Sequence, residues 1–275
     1  MLDRAISCSY APGSVFKIIV AAAALDSGKF DTGKTFQCNG SFQVGRRAFH
    51  CWREKGHGAQ DVESAIKNSC NVFFYQLALS IGARKISEYA FKFGFGSPTG
   101  IDLPGEASGI VPSAEWKKRK KMGAWFRGET ANYAIGQGYL LVTPIQIAVA
   151  FSAISNGGRI VRPFVVEKIE DIPLRHEEAR DIGLKREVLK AIKEGLRSVV
   201  NSPRGTGLYA RSKKIIISGK TGTAQNPAGT SHAWFTGFAP FENPKICVVV
   251  FIEHGGKGGL EPARFSKKII KKQKH

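Results

Sequence analysis

Behind a Pro12-Gly13 turn, Val15, Ile18, Ile19, Ala22 and Leu25 recur at helical spacing. That pattern predicts a helix that opens at Ser14 and runs to about residue 25, where Asp26-Ser27-Gly28 ends it. Residues 61–67 and 72–81 read as two helices interrupted at Asn68-Ser69-Cys70-Asn71, and 86–93 as another. Loops are expected from about 94 to 137. Thr143 can cap a helix with Pro144 at its first position, and Ile145, Ile147, Ala148, Phe151 and Ile154 give it an apolar face. Residues 186–200 form a further amphipathic helix. The pattern then turns to strands over 214–218, 233–238 and 246–252, with turns at Asn226-Pro227 and Glu242-Asn243-Pro244, and the last two strands pair as an antiparallel hairpin. Helices packed on a mainly antiparallel sheet make an α/β fold of the α+β type. Residues 31–60 break the pattern: they are rich in glycine and show no sustained periodicity. A structureless stretch of that length inside one domain needs something else to organise it.

The length of 275 residues fits a single domain spanning 1–275, and no repeat or low-complexity linker divides it. A net charge of +19 raises the question of nucleic acid. Its densest runs are Lys117-Lys118-Arg119-Lys120-Lys121 and the C-terminal Lys267-Lys268, Lys271-Lys272 and Lys274. Neither run comes with a zinc-finger or an aromatic single-strand-binding pattern, so specific nucleic-acid binding is set aside and the runs read as solvated faces. An anionic membrane surface or wall polymer explains the charge equally well. The most apolar stretches, 16–25 and 139–154, are respectively too short for a membrane span and broken by Pro144 and Gln146. Met1-Leu2-Asp3-Arg4 does not open a signal peptide, so the chain as written is expected to stay in the cytoplasm.

Candidate chemistry begins with Ser14 and Lys17. Three residues apart on a helix, they share a face, and a neutral lysine amine beside the hydroxyl is a base that makes serine a nucleophile. Unpaired amides at the helix start favour an oxyanion. Alone, the pair reads first as an N-cap serine with a solvated lysine. Two further stretches give it weight. Ser69-Cys70-Asn71 lies in the helix break, and Lys220-Thr221-Gly222-Thr223 follows the apolar run Ile215-Ile216-Ile217, with Gly222 leaving an open backbone edge. Pro-Gly-Ser-Val-Phe-Lys, then Ser-x-Asn, then Lys-Thr-Gly-Thr, in that order, resembles the serine penicillin-binding proteins and serine β-lactamases.

Other stretches narrow the resemblance to the transpeptidase domain of class B penicillin-binding proteins of the elongation type, over nearly the whole chain. They are Tyr10-Ala11-Pro12-Gly13, Phe49-His50-Cys51-Trp52 with Gly56-His57-Gly58, Phe73-Phe74-Tyr75-Gln76, Gly100-Ile101-Asp102-Leu103-Pro104, Ile135-Gly136-Gln137-Gly138, Thr143-Pro144 and Ala233-Trp234-Phe235-Thr236-Gly237-Phe238. The resemblance implies a five-stranded antiparallel sheet flanked by helices and acyl transfer on peptidoglycan stem peptides ending in D-Ala-D-Ala, with no catalytic cofactor. It implies Ser14 as nucleophile, Lys17 as its base, and Ser69 and Lys220 as the route of a proton to the departing D-Ala. It further implies Asn71 on a substrate amide, the amides of Ser14 and Thr223 as oxyanion hole, and the Thr221 and Thr223 hydroxyls, with Gly222 between them, on the terminal carboxylate. β-Lactams would acylate Ser14, and cell-wall elongation proteins would be partners. The family also implies the periplasmic face of the bacterial inner membrane, a membrane anchor, a pedestal and two sheet strands ahead of the serine helix. Only residues 1–13 precede Ser14, so the domain is expected to be incomplete there, without signal, anchor or the first two strands, and with the edge of 246–252 uncovered. Two alternatives stand beside a D,D-transpeptidase: a serine β-lactamase, and an inactive remnant or β-lactam-binding sensor.

Of five cysteines, Cys247 is expected in the core and Cys8 has no evident partner. Cys38, Cys51, His57 and Cys70 form a Cys3His set of the kind used by structural zinc, in or beside the stretch that lacks an organiser. With Ser69 and Asn71 facing substrate, the Cys70 side chain can point toward a metal that pins the turn. Some elongation-type relatives carry a metal in the same region. A Cys38–Cys51 disulfide and free thiols are the competing readings.

Overall fold

The computed structural model describes residues 3–173, 178–226 and 229–273. At its centre lies α1 (Lys17–Asp26), entered through a 3-10 turn over Gly13–Phe16; every α1 residue from Lys17 to Leu25 is buried. A helix apolar all round belongs in the middle of a fold rather than on its surface. Next come four short strands, β1 (Phe36–Cys38), β2 (Ser41–Val44), β3 (Arg47–His50) and β4 (Gly58–Gln60), paired antiparallel as β1 with β4 and β2 with β3. The irregular stretch is thus two small ribbons. Then follow α2 (Val62–Asn68), α3 (Asn71–Ile81) and α4 (Ala83–Lys92), with α3 and α4 packed on α1.

Residues 94–137, expected as loop, hold two short helices, α5 (Ala114–Arg119) and α6 (Arg127–Ala134). Capping explains them. The Ser113 hydroxyl accepts from the Trp116 amide at 3.1 Å and the Glu129 carboxylate from the Phe126 amide at 2.7 Å. The basic run 117–121 is also less solvated than expected, because Lys117 is buried and its ammonium donates to Glu129 and the Ala124 carbonyl. α7 (Pro144–Ser155) starts at its predicted Thr143 cap, and α8 (Arg186–Asn201) follows two minor pairings, β5 (Arg159–Ile160) with β8 (Arg180–Asp181) and β6 (Lys168–Ile169) with β7 (Ile172–Pro173).

The main sheet is antiparallel and three-stranded among the described residues: β9 (Ser218–Asn226), β10 (Gly229–Ala239) in the middle, and β11 (Ile246–Ile252). Helix α8 packs on β9, α7 on β10 and β11, and α9 (Glu261–Lys272) on β10 and β11. The first of these strands was expected over 214–218 but begins at Ser218 and carries the Lys-Thr-Gly-Thr residues itself. Its ladder starts opposite Phe238, and Pro240, just past the end of β10, has no N–H to extend it. The C-terminal basic run lies on α9, which buries Pro262, Ala263, Ser266 and Ile270; Lys274 lies outside the described residues, as do Met1, Leu2 and the Pro227 of the expected turn. Cys247 is half-covered at the sheet edge rather than fully in the core. No described helix is long and apolar enough to cross a membrane.

Close backbone contacts pin the turn ahead of α1 to the turn that follows α6. The Gly13 amide donates to the Gly136 carbonyl at 3.0 Å, both glycines have positive φ (+56° and +70°), and a Cβ on Gly136 would sit 2.1 Å from the Gly13 carbonyl oxygen. Gly136→Ala is therefore expected to lower unfolding stability by about 2–4 kcal/mol. Gly183→Ala, at φ +67° with open space around it, is expected to lower it by about 1 kcal/mol, the backbone cost alone. Urea denaturation of the two variants checks the difference.

Candidate active site

The buried face of α1 places Lys17 beneath the break between α2 and α3. Its side chain is fully buried, and its Nζ donates to the Ser69 carbonyl at 2.8 Å and the Asn71 side-chain oxygen at 2.7 Å, and lies 3.3 Å from the Ser69 hydroxyl. Two of these partners are carbonyl oxygens, which only accept. A neutral amine has two N–H groups and one lone pair, so satisfying both carbonyls leaves the lone pair for a hydroxyl. Burial lowers the Lys17 pKa to about 8, against a smaller upward pull from Cys70 and Cys51.

Ser69 owes its place to the same break. It ends α2 in the left-handed conformation (φ 51°, ψ 42°), and Cys70 then starts α3, its sulfur accepting from the Phe73 amide at 3.4 Å. From the other side β9 delivers Lys220, also fully buried, whose Nζ donates to the Ser69 hydroxyl at 2.9 Å and the Thr221 carbonyl at 3.0 Å. Burial holds Lys220 well below the ordinary lysine range, and the charge of Lys17 lowers it further. One hydroxyl thus lies between two buried amines that cannot both be charged at low cost.

Ser14 lies in the 3-10 turn that precedes Lys17, half-exposed, and its hydroxyl has no hydrogen-bond partner among the described residues. The turn abuts β9. A Cβ on Gly13 would lie 2.7 Å from the Thr223 carbonyl oxygen, and one on Gly222 would lie 3.0 Å from the Pro12 carbonyl oxygen. Thr223 is exposed, whereas Thr221 is buried and donates its hydroxyl to Thr206 at 3.0 Å. Thr206 was not singled out from the sequence; its position between Gly205 and Gly207, in a loop that reaches the strand, is the one signal it carried.

On the far side of the Ser69 turn, the ligand atoms of Cys38, Cys51, His57 and Cys70 all lie within 4.8 Å of one another. His57 Nδ1 is 3.6 Å from the Cys38 sulfur and 3.5 Å from that of Cys51, and its Nε2 is buried without a partner among the described residues. A hydrogen bond between the two thiols lowers the pKa of Cys51 and, together with burial, pushes the Cys70 thiol up. All five cysteines are unbridged, so no disulfide joins Cys38 to Cys51.

Residues 1–271 match the penicillin binding protein transpeptidase domain, and the chain belongs to that family. Over 98% of its length it is 33% identical to the peptidoglycan D,D-transpeptidase MrdA of Haemophilus influenzae, and covers 45% of that protein. The chain thus spans about half the length of the curated relatives it matches. Among solved structures it resembles Pseudomonas aeruginosa PBP2 in complex with WCK 5153, with a TM-score of 0.92 and 34% identity over 98% of this chain and 60% of that one. It also resembles Helicobacter pylori PBP2 in a complex with MreC, at TM-score 0.88 and 34% identity over 98% of this chain and 51% of that one.

The state of Lys17 can be read without any substrate. In heteronuclear NMR of 15N-lysine-labelled protein its Nζ should titrate near pH 8, against about 10.4 for surface lysines. A midpoint in the surface range would contradict the burial argument.

Proposed function

We propose that this chain is the catalytic domain of a serine-type peptidoglycan D,D-transpeptidase of the elongation class, acylated in the same way by β-lactams. The observation that carries the reading is the Ser69 hydroxyl held between Lys17 and Lys220, with Ser14 on the next turn toward solvent. In the proposed reaction the Ser14 hydroxyl oxygen attacks the carbonyl of the penultimate D-Ala while its proton passes to neutral Lys17. Charge on the carbonyl oxygen falls to the amides of Ser14 and Thr223, brought together by the close contact at Gly13. The carbon–nitrogen bond then breaks. The departing D-Ala nitrogen takes a proton from Ser69, which recovers one from the Lys17 ammonium, with Lys220 fixing the hydroxyl from the other side. Asn71 orients a substrate amide, and Thr221 and Thr223, across Gly222, receive the terminal carboxylate. An amine of a neighbouring stem peptide attacks the acyl-enzyme, and the reverse proton path frees Ser14 and leaves a cross-link.

Cell-wall elongation proteins as partners, and work at the periplasmic face of the bacterial inner membrane, belong to the same reading. The Cys38, Cys51, His57 and Cys70 cluster is read as a structural zinc site, outside the chemistry. Tetrahedral zinc, with bonds of about 2.3 Å to sulfur and about 2.0 Å to nitrogen, sets the two ligand atoms about 3.5 Å apart, close to the observed 3.6 and 3.5 Å. Bound there, zinc would crosslink the two ribbons to the start of α3.

A fluorescent penicillin should label the protein stably, and Ser14→Ala should abolish the label without loss of fold. Rapid loss of label would indicate a β-lactamase, and no label on folded protein an inactive remnant. Because the base must be neutral, the acylation rate should rise with pH and level off above about pH 8, and Lys17→Ala should lower it about a hundredfold or more. For the metal, protein purified without chelator should hold close to one zinc per chain, and its removal should lower the thermal midpoint. Metal-free protein of unchanged stability would refute the zinc reading.

A further inference from the structure

Trp52 ends the stretch Phe49-His50-Cys51-Trp52. It is 58% exposed, so burial does not explain where its indole lies. The ring N–H does. Nε1 donates to the Asn68 carbonyl at 3.0 Å and the Ser69 carbonyl at 3.2 Å. These are carbonyls at the end of α2, which a helix leaves without partners of its own. The Ser69 carbonyl therefore accepts from two side chains, Trp52 on the solvent side and Lys17 on the buried side.

The connectivity closes a ring. Trp52 follows Cys51, Ser69 precedes Cys70, and the two sulfurs belong to one cluster. The indole also packs edge-on against His57, with centroids 5.1 Å apart and planes at 61°. Two peptide segments whose cysteines meet in one cluster are thus tied, one residue away, by a hydrogen bond. Between these ties sits a serine in the left-handed conformation, which side chains other than glycine hold only when the surroundings enforce it.

We propose that Trp52 is a positioning residue of the candidate active site: its indole N–H locks the Asn68–Ser69 carbonyls so that the Ser69 hydroxyl stays between Lys17 and Lys220. Its catalytic consequence rests on the transpeptidase reading, whereas its effect on the turn does not. The N–H stays a donor at every working pH, so the Ser69 peptide plane remains fixed while the amine of Lys17 gains and loses a proton.

Trp52→Phe keeps an aromatic ring and removes the donor. In the whole 275-residue chain it should slow acylation by the fluorescent penicillin about tenfold, the worth of one hydrogen bond, with the unfolding midpoint lowered by no more than about 4 °C. Hydrogen exchange at the Ser69 and Cys70 amides, bonded to the Ile66 and Ala65 carbonyls, should become faster while the rest of α2 and α3 keeps its protection. Unchanged exchange at these two amides overturns the proposal, even if acylation slows, since Trp52 would then act on the reagent itself. Faster exchange throughout both helices with a midpoint lowered by more than that also overturns it, in favour of a general structural role. Should the wild-type chain fail to acylate, the transpeptidase reading falls, and the exchange experiment alone decides the role of Trp52.

Discussion

The placing of two lysine amines around one serine hydroxyl, out of water, is the constraint from which the other features of this structure follow. Lys17 and Lys220 are both fully buried, and the Ser69 hydroxyl is the only group with which both bond among the described residues. Burying a charged amine without a counter-charge is expensive, and the two together more so. Burial lowers the pKa of both amines, which favours their neutral form, and carbonyl oxygens accept their hydrogen bonds. Such an arrangement moves a proton over short distances without a large change in charge, as the proposed acyl transfer requires.

Holding that arrangement takes rigid elements from three parts of the chain. Lys17 comes from the centre of the fold, Ser69 from a helix break, and Lys220 from a strand, and none can shift without disturbing packed neighbours. Glycines let the backbones approach closely enough for the three to meet. Gly13 and Gly222 stand where the serine turn and β9 touch: a Cβ on Gly13 would collide with the Thr223 carbonyl, and one on Gly222 would crowd the Pro12 carbonyl and Trp234. Trp52 meets the helix break from the solvent side, beside the Cys/His cluster. The carbonyl of a left-handed serine is then held between Trp52 and Lys17.

Much of this was readable in the sequence, because its signals were local. Apolar spacing marked α1, α3, α7 and α8, and the Thr143-Pro144 cap marked where α7 starts. Residue types set in order pointed to Ser14, Lys17, Ser69, Asn71 and Lys220, and a soft-ligand set to Cys38, Cys51, His57 and Cys70. What escaped depends on tertiary pairing. The start of β9 is set by its register with β10, and α5 and α6 by caps at Ser113 and Glu129 too short in range to show periodicity. The basic run near 270 hides a helix because its apolar face is narrow, and Lys117 is buried by an ion pair with Glu129 that no spacing announces. Thr206 and Trp52 act through contacts with backbone or side chains far along the chain, which composition cannot show.

In the proposed transfer a proton travels between the attacking oxygen and the leaving nitrogen through Lys17 and Ser69. A crystal structure of the protein reacted with a penicillin should show the former lactam carbonyl carbon bonded to Ser14 Oγ, its oxygen toward the amides of Ser14 and Thr223, and the released nitrogen facing the Ser69 hydroxyl. An adduct on another residue, or a nitrogen turned away from Ser69 with a different donor beside it, would rule this path out.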